Sequence, residues 1–163
     1  MNITEEELDK SINFFKQNNI SILENQARKI NKKQPNFTAM IYAMEMHGFS
    51  RVIVEDILET IFVVYYIQTE LRNIEINTIS IGQIAKNQQS FSEFISYFNT
   101  EKKYGEKIDL SKVTFLKDQI VLNYAVKTLQ RLFKKVEKFP NEIVIPYFAI
   151  LKAIELGAEK QKK

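Results

Sequence analysis

Cysteine and tryptophan are absent from this chain of 163 residues, and histidine occurs once, at His47. Without cysteine there is no disulfide scaffold, no thiolate zinc site and no cysteine nucleophile, a composition that fits the cytoplasm. A single histidine removes multi-histidine zinc sites and leaves no nucleophile–base pair built from the usual residues. Four glycines and three prolines are too few for a turn-rich β architecture and favour helices. No glycine-rich phosphate loop, no G-x-S-x-G and no aspartate-rich calcium loop is present. No metal and no cofactor is expected on these grounds, and the balance of these features is against an enzyme.

Long hydrophobic runs are missing too. The longest, Ile61–Ile67, falls far short of the roughly 20 residues that span a bilayer, so no membrane association is expected. The opening MNITEEELDK is acidic and polar, without the basic and apolar regions of a secretory signal. Arginine is scarce, with four against nineteen lysines, and the net charge is only +3. Committed nucleic-acid binders carry larger excesses and favour arginine, so nucleic acid is a weakly supported partner.

What is present is ordinary globular material, 45% hydrophobic and 26% charged. Isoleucine (22), lysine (19) and asparagine (13) are over-used, which points to an A/T-rich genome, bacterial or phage. The segment Ser50–Asn73 dominates the pattern. It opens on a serine able to act as an N-cap and is apolar on nearly every side, as a helix surrounded by other elements must be. The fold class expected is therefore all-α. It is read as a single-domain irregular helical bundle over 1–163, with five to seven helices around a central buried helix at 51–72 and a frayed basic tail at 157–163.

Around that helix, Thr4 with Glu7, Ser21 with Glu24, and Ser90 with Glu93 carry capping-box spacing. Asn18-Asn19 marks a break between two helices, and Asn36 is expected to cap a short helix that Gly48 ends in a left-handed conformation. Ile74, Ile76, Ile79 and Ile81 lie in an extended segment, for which Ile108–Leu110 is a possible partner in a minor two-stranded ribbon. A short helix is expected near Gly82–Asn87. A long helix is expected over 112–138, and a last one from Asn141 or Pro146.

Four side-chain groups are candidate sites. Phe91, Phe94, Tyr97 and Phe98, at i, i+3, i+6 and i+7, form an aromatic face suited to a protein partner. The same region, Ile84–Ile95, has the opening of a helix-turn-helix pair, but a DNA-reading helix needs polar and basic groups where this one has phenylalanines. Lys127, Arg131, Lys134 and Lys138 fall within about 60° of one another on an ideal helix and could follow a phosphate backbone or dock an acidic partner. Glu55, Glu59, Tyr66 and Glu70 share one side of the central helix, with Asp56 close by, an acidic row without the Glu-x-x-His pairs of a di-iron bundle. Asp118 falls on an apolar helical side, where a carboxylate needs a partner or must be protonated; with Asn123 and Tyr124 it marks a possible small-molecule or metal pocket.

Three functions are consistent with these features. The favoured one is a non-enzymatic cytoplasmic helical interaction or regulatory protein, an adaptor, an immunity or antitoxin-like protein or an assembly subunit, binding a protein partner or a second copy. The others are nucleic-acid binding through the basic stripe and a ligand site near Asp118.

Overall fold

The computed structural model describes residues 2–96, the helical backbone of 97–101, and residues 115–134 and 139–161. Seven α-helices lie among these residues, arranged as an all-α bundle around the central helix. Helix α1 (Glu5–Gln17) starts at the expected capping box: Thr4 Oγ1 accepts from Glu7 N–H, and the Glu7 carboxylate accepts from Thr4 N–H at 2.8 Å. The backbone turns extended at Asn18, and Asn19 caps α2 (Ile20–Lys33) by accepting from Ile22 N–H at 3.0 Å. The break is where the sequence placed it, but Ser21 and Glu24 lie inside α2 rather than at its cap.

Pro35, not a residue capped by Asn36, opens α3 (Pro35–Tyr42). At the first helical position its missing N–H costs nothing, because that donor would be unpaired in any case. Asn36 is used elsewhere, donating to the carbonyl of Ile79. A 3-10 turn (Ala43–His47) follows and ends at Gly48, whose φ of +88° is the left-handed conformation expected there.

Ser50 caps α4 (Arg51–Tyr66), which continues into one π turn (Ile67–Leu71) closed by Arg72 N–H donating to Ile67 O across five residues. Ile57, Ile61, Val63 and Ile67 are completely buried. Helices on several sides cover this rod: α1, α3, and two introduced below, α6 and α7. A helix apolar almost all round has no other stable position.

After Asn73, whose φ is +53°, residues 74–80 run extended and bury Ile76 and Ile79. Among the described residues this segment has no strand partner; the ribbon expected with 108–110 falls outside them. The side chain of Gln34 takes the place of a partner strand. Its Oε1 accepts from Ile79 N–H at 2.8 Å and its Nε2 donates to Asn77 O at 2.9 Å, which pairs buried backbone groups that burial would otherwise leave costly.

A capping box at Ser80 and Gln83 starts α5 (Ile81–Glu101). One helix thus absorbs both the short helix expected near Gly82–Asn87 and the helix expected to start at Ser90. Helix α6 spans Gln119–Leu132, shorter at both ends than the 112–138 expected, because Asp118 caps it rather than lying within it. Helix α7 (Asn141–Lys160) carries Pro146 inside and buries Tyr147, Phe148, Ile150, Leu151 and Ile154. It stays helical through Gly157 and the buried Ala158, so the tail expected to fray from 157 is ordered as far as Lys160.

Candidate functional site

The aromatic face on α5 turns inward where it is described. Phe91 is fully buried and stacks on Phe148 of α7, with ring centroids 4.9 Å apart and planes within 7°. Phe115 packs edge-on against Phe91 at 4.9 Å and lies 6.2 Å from Phe94. Phe91 is therefore core, not a partner contact, and Phe94 is half-buried beside it. The side chains of Tyr97 and Phe98 lie outside the described residues. Periodicity correctly identified an apolar stripe, but it does not distinguish a stripe that faces solvent from one that faces α7. The helix-turn-helix pattern at Ile84–Ile95 contains no turn at all, since α5 runs through it.

The basic stripe is interrupted as well. Lys127 and Arg131 are exposed on α6, whereas Lys134 lies beyond the helix end at Leu132, and Lys138 falls outside the described residues. Arg131 faces the acidic row, with its guanidinium 3.7 Å from the carboxylate of Asp56. The two charged rows thus meet across the α4–α6 contact and partly neutralise each other. The rest of the acidic row is similarly committed: Glu55 lies 3.8 Å from Arg51, and Glu70 2.5 Å from Lys29. Glu59 is the exception, and burial together with the nearby Asp56 charge raises its pKa. No cluster of three or more metal-ligating side chains occurs among the described residues. His47 ends the 3-10 turn one residue before Gly48, exposed, where a helix C-terminus favours a basic group.

Asp118, Asn123 and Tyr124 do not converge. The Asp118 carboxylate is buried and accepts three backbone N–H bonds, from Ile120 at 3.0 Å, Val121 at 3.2 Å and Ile3 at 2.6 Å. It therefore caps α6 and pins the N-terminal segment to it, a structural role that satisfies its charge with donors. The apolar phase that made Asp118 unusual in the sequence came from extending the helix through a residue that starts it. Asn123 points to solvent.

Tyr124 belongs to a different polar group. Thr60 Oγ1 on α4 and Thr128 Oγ1 on α6 are 3.2 Å apart, and Tyr147 donates to Ala125 O at 3.3 Å. Burial raises the pKa of both Tyr124 and Tyr147, while hydrogen bonding to Thr60 opposes the shift in each. The Thr60–Thr128 contact joins α4 to α6 and the Tyr147 hydroxyl joins α7 to α6, so buried hydroxyls tie the three helices together and fix their register. A single-sequence signal for it was weak, because threonines on a helix read as neutral.

Two surface features were not singled out by the sequence. The first is the corner between α3 and α4. Met46 and Val52 are the large aliphatic side chains there that face solvent, 89% and 67% exposed. Beside them, half-buried Phe49, Phe133 and Phe139 form a chain of edge-on rings with centroids 6.4 and 6.2 Å apart. Arg51 lies over the ring of Tyr42 at 5.8 Å and is held at 3.2 Å by Glu45. Met, Phe, Tyr and Arg together make the composition enriched at protein interfaces.

The second feature is a pair of clefts. One, of about 410 Å³, lies between α2 and the π turn, with Lys29 paired to Glu70 and Lys33 to Glu75 along its edges. The other, of about 270 Å³, lies between residues 77–79, the start of α5 and the end of α7.

Among the described residues no helix is long and apolar enough to cross a membrane. No family model, no curated protein and no solved structure matches the chain.

Proposed function

We propose that the protein is a helical interaction or regulatory domain that binds a partner protein through the corner between α3 and α4. The observation that carries this reading is the exposure of Met46 and Val52 next to the Phe49–Phe133–Phe139 ring cluster. Two large aliphatic side chains in water beside an aromatic cluster gain free energy when a partner covers them, at about 25 cal/mol per Å² of apolar surface removed from water. The charges nearby, Glu45, Arg51 and Glu55, are paired with one another and so form a polar rim without strong net charge. A partner with an apolar, weakly charged face fits this surface. The basic stripe supports nucleic-acid binding less well, since Arg131 is engaged by Asp56 and Lys134 is off the helix.

The test places a photo-crosslinking amino acid at Met46 and, separately, at the exposed polar position Gln89. Irradiation in an extract of the native host should give a discrete adduct from position 46 that Val52→Glu abolishes. An adduct of twice the protein's own mass identifies the partner as a second copy. Identical patterns from the two positions, or an adduct unaffected by Val52→Glu, overturn the reading.

A further inference from the structure

The smaller cleft differs from the larger one in its charge. Both are edged by two lysines, but Lys29 and Lys33 are each matched by a glutamate, at 2.5 and 3.3 Å. In the smaller cleft Lys86 and Lys160 are exposed, no carboxylate lines the groove, and neither lysine has an ion-pair partner among the described residues. The Oε1 of Gln83 is held by Ser80 N–H, which leaves its amide N–H groups free to donate. Ile79, Ala153 and Leu156 supply apolar lining to the same groove. The site thus combines a local charge of +2, an uncommitted amide donor in the first turn of α5 and apolar side chains.

We propose that this groove binds a small phosphate monoester. The phosphate would lie between Lys86 and Lys160, and the organic part would lie on Ile79 and Leu156. A phosphate monoester carries about −1.5 to −2 charge near pH 7 and three acceptor oxygens, which matches two ammonium groups and an amide better than a carboxylate does. The volume of about 270 Å³ lies just below the roughly 300–1,000 Å³ of sites for drug-sized ligands, so the organic part is small. This site is separate from the α3–α4 corner and independent of it.

Phenyl phosphate, inorganic phosphate and benzyl alcohol serve as probes, titrated into isotope-labelled protein while backbone amide signals are followed by NMR. Phenyl phosphate should produce saturable shifts at Ile79, Gln83 and Gly157. Inorganic phosphate should bind the same place more weakly, and benzyl alcohol more weakly than phenyl phosphate. The double variant Lys86→Gln/Lys160→Gln, both exposed positions, should keep a folded spectrum and bind phenyl phosphate at least about tenfold more weakly. Lys29→Gln/Lys33→Gln should bind as the natural protein does. The proposal is overturned by an absence of saturation up to about 10 mM, by unchanged affinity in the Lys86/Lys160 variant, or by benzyl alcohol binding as tightly as phenyl phosphate. Shifts confined to the Lys29–Lys33 cleft overturn it as well.

Discussion

The backbone of Gly157 passes so close to Ile76 that a methyl group on the glycine would lie 2.8 Å from Ile76 Cγ2. This contact joins the last helix to the extended 74–80 segment, and it exists because glycine has no Cβ. Glycine inside a helix ordinarily costs about 1 kcal/mol relative to alanine, so a glycine kept there marks a close approach. Ile76 is almost fully buried, and its Cγ2 is fixed to a branched Cβ, so it has little room to yield.

Gly157→Ala should therefore destabilise the protein by about 1–2 kcal/mol despite the gain in helix propensity. In an Ile76→Ala background the obstacle is gone, and the same change should become stabilising by several tenths of a kcal/mol to about 1. Urea unfolding of the four proteins in the double-mutant cycle measures both values. Equal effects of Gly157→Ala in the two backgrounds would show that the contact carries no energy.

Glu7 closes a second link between distant parts of the chain. Its carboxylate takes Arg72 Nε at 2.8 Å and Nη2 at 2.9 Å, and it also serves the capping box of α1. Hydrogen bonding to the Arg72 guanidinium is the main reason its pKa falls to about 2, with the Thr4 backbone N–H adding to the effect against an opposing cost of burial. A carboxylate held below its unfolded value contributes stability that is present above the unfolded pKa of about 4.3 and is lost as pH falls toward 2. Glu7→Gln should cost about 1–2 kcal/mol at pH 7, a figure discounted for partial solvent screening, and almost nothing at pH 2. Denaturant melts of both proteins at pH 7, 4 and 2 test this; a deficit that persists unchanged at pH 2 would assign the effect to packing instead.

How far the sequence reveals the fold depends on whether local patterns or long-range neighbours decide each feature. The Thr4–Glu7 cap, the Asn18 break, the Gly48 stop and the buried central helix are all local, and all stand where periodicity and capping chemistry put them. The start of α6 is not local in this sense. Val113, Phe115 and Leu116 continue the apolar spacing of the helix beyond it, so only the contact of Asp118 with Ile3 N–H and its own first-turn amides reveals the cap. The candidate sites were less legible still. Whether Phe91 faces Phe148 or solvent, and whether Arg131 faces Asp56, depends on helix packing that one chain's spacing leaves open. The smaller cleft brings together residues 79, 86 and 160, and no local pattern joins them.

Asp118 offers a direct measure of that missed cap. Asp118→Ala removes three acceptor contacts at once and leaves the N–H of buried Ile3 unpaired, so a loss of about 3 kcal/mol is expected. Asp118→Asn keeps an oxygen for the helix but replaces the other with an amide nitrogen, which cannot accept from Ile3. Its loss should be intermediate, and amide hydrogen exchange at Ile3 should quicken more than exchange at Ile120. If Asp118→Asn is as stable as the natural protein while Asp118→Ala is not, the Ile3 contact contributes nothing beyond the cap.

Glu59 gives the opposite pH dependence to Glu7, and the sign follows from its surroundings. Burial raises its pKa first and the Asp56 carboxylate second, while Lys16 on α1 and Arg131 on α6 only partly offset them. The phenol of Tyr124 also faces this carboxylate, which contributes to raising the Tyr124 pKa. A carboxyl group whose folded pKa lies above its unfolded value binds its proton more tightly in the folded state, so stability falls as pH rises through that window. Glu59→Gln removes the charge and should make the protein more stable at pH 7 while changing little at pH 3, where the natural side chain is already protonated. Adding Arg131→Gln to the natural protein should deepen the penalty at pH 7, since one of the two compensating cations is lost, and Glu59→Gln should then recover more than it does alone. Thermal melts of the four combinations at pH 3 and pH 7 provide the comparison. A Glu59→Gln protein less stable than the natural one at pH 7 would mean that the charge is held by its neighbours rather than opposed by burial.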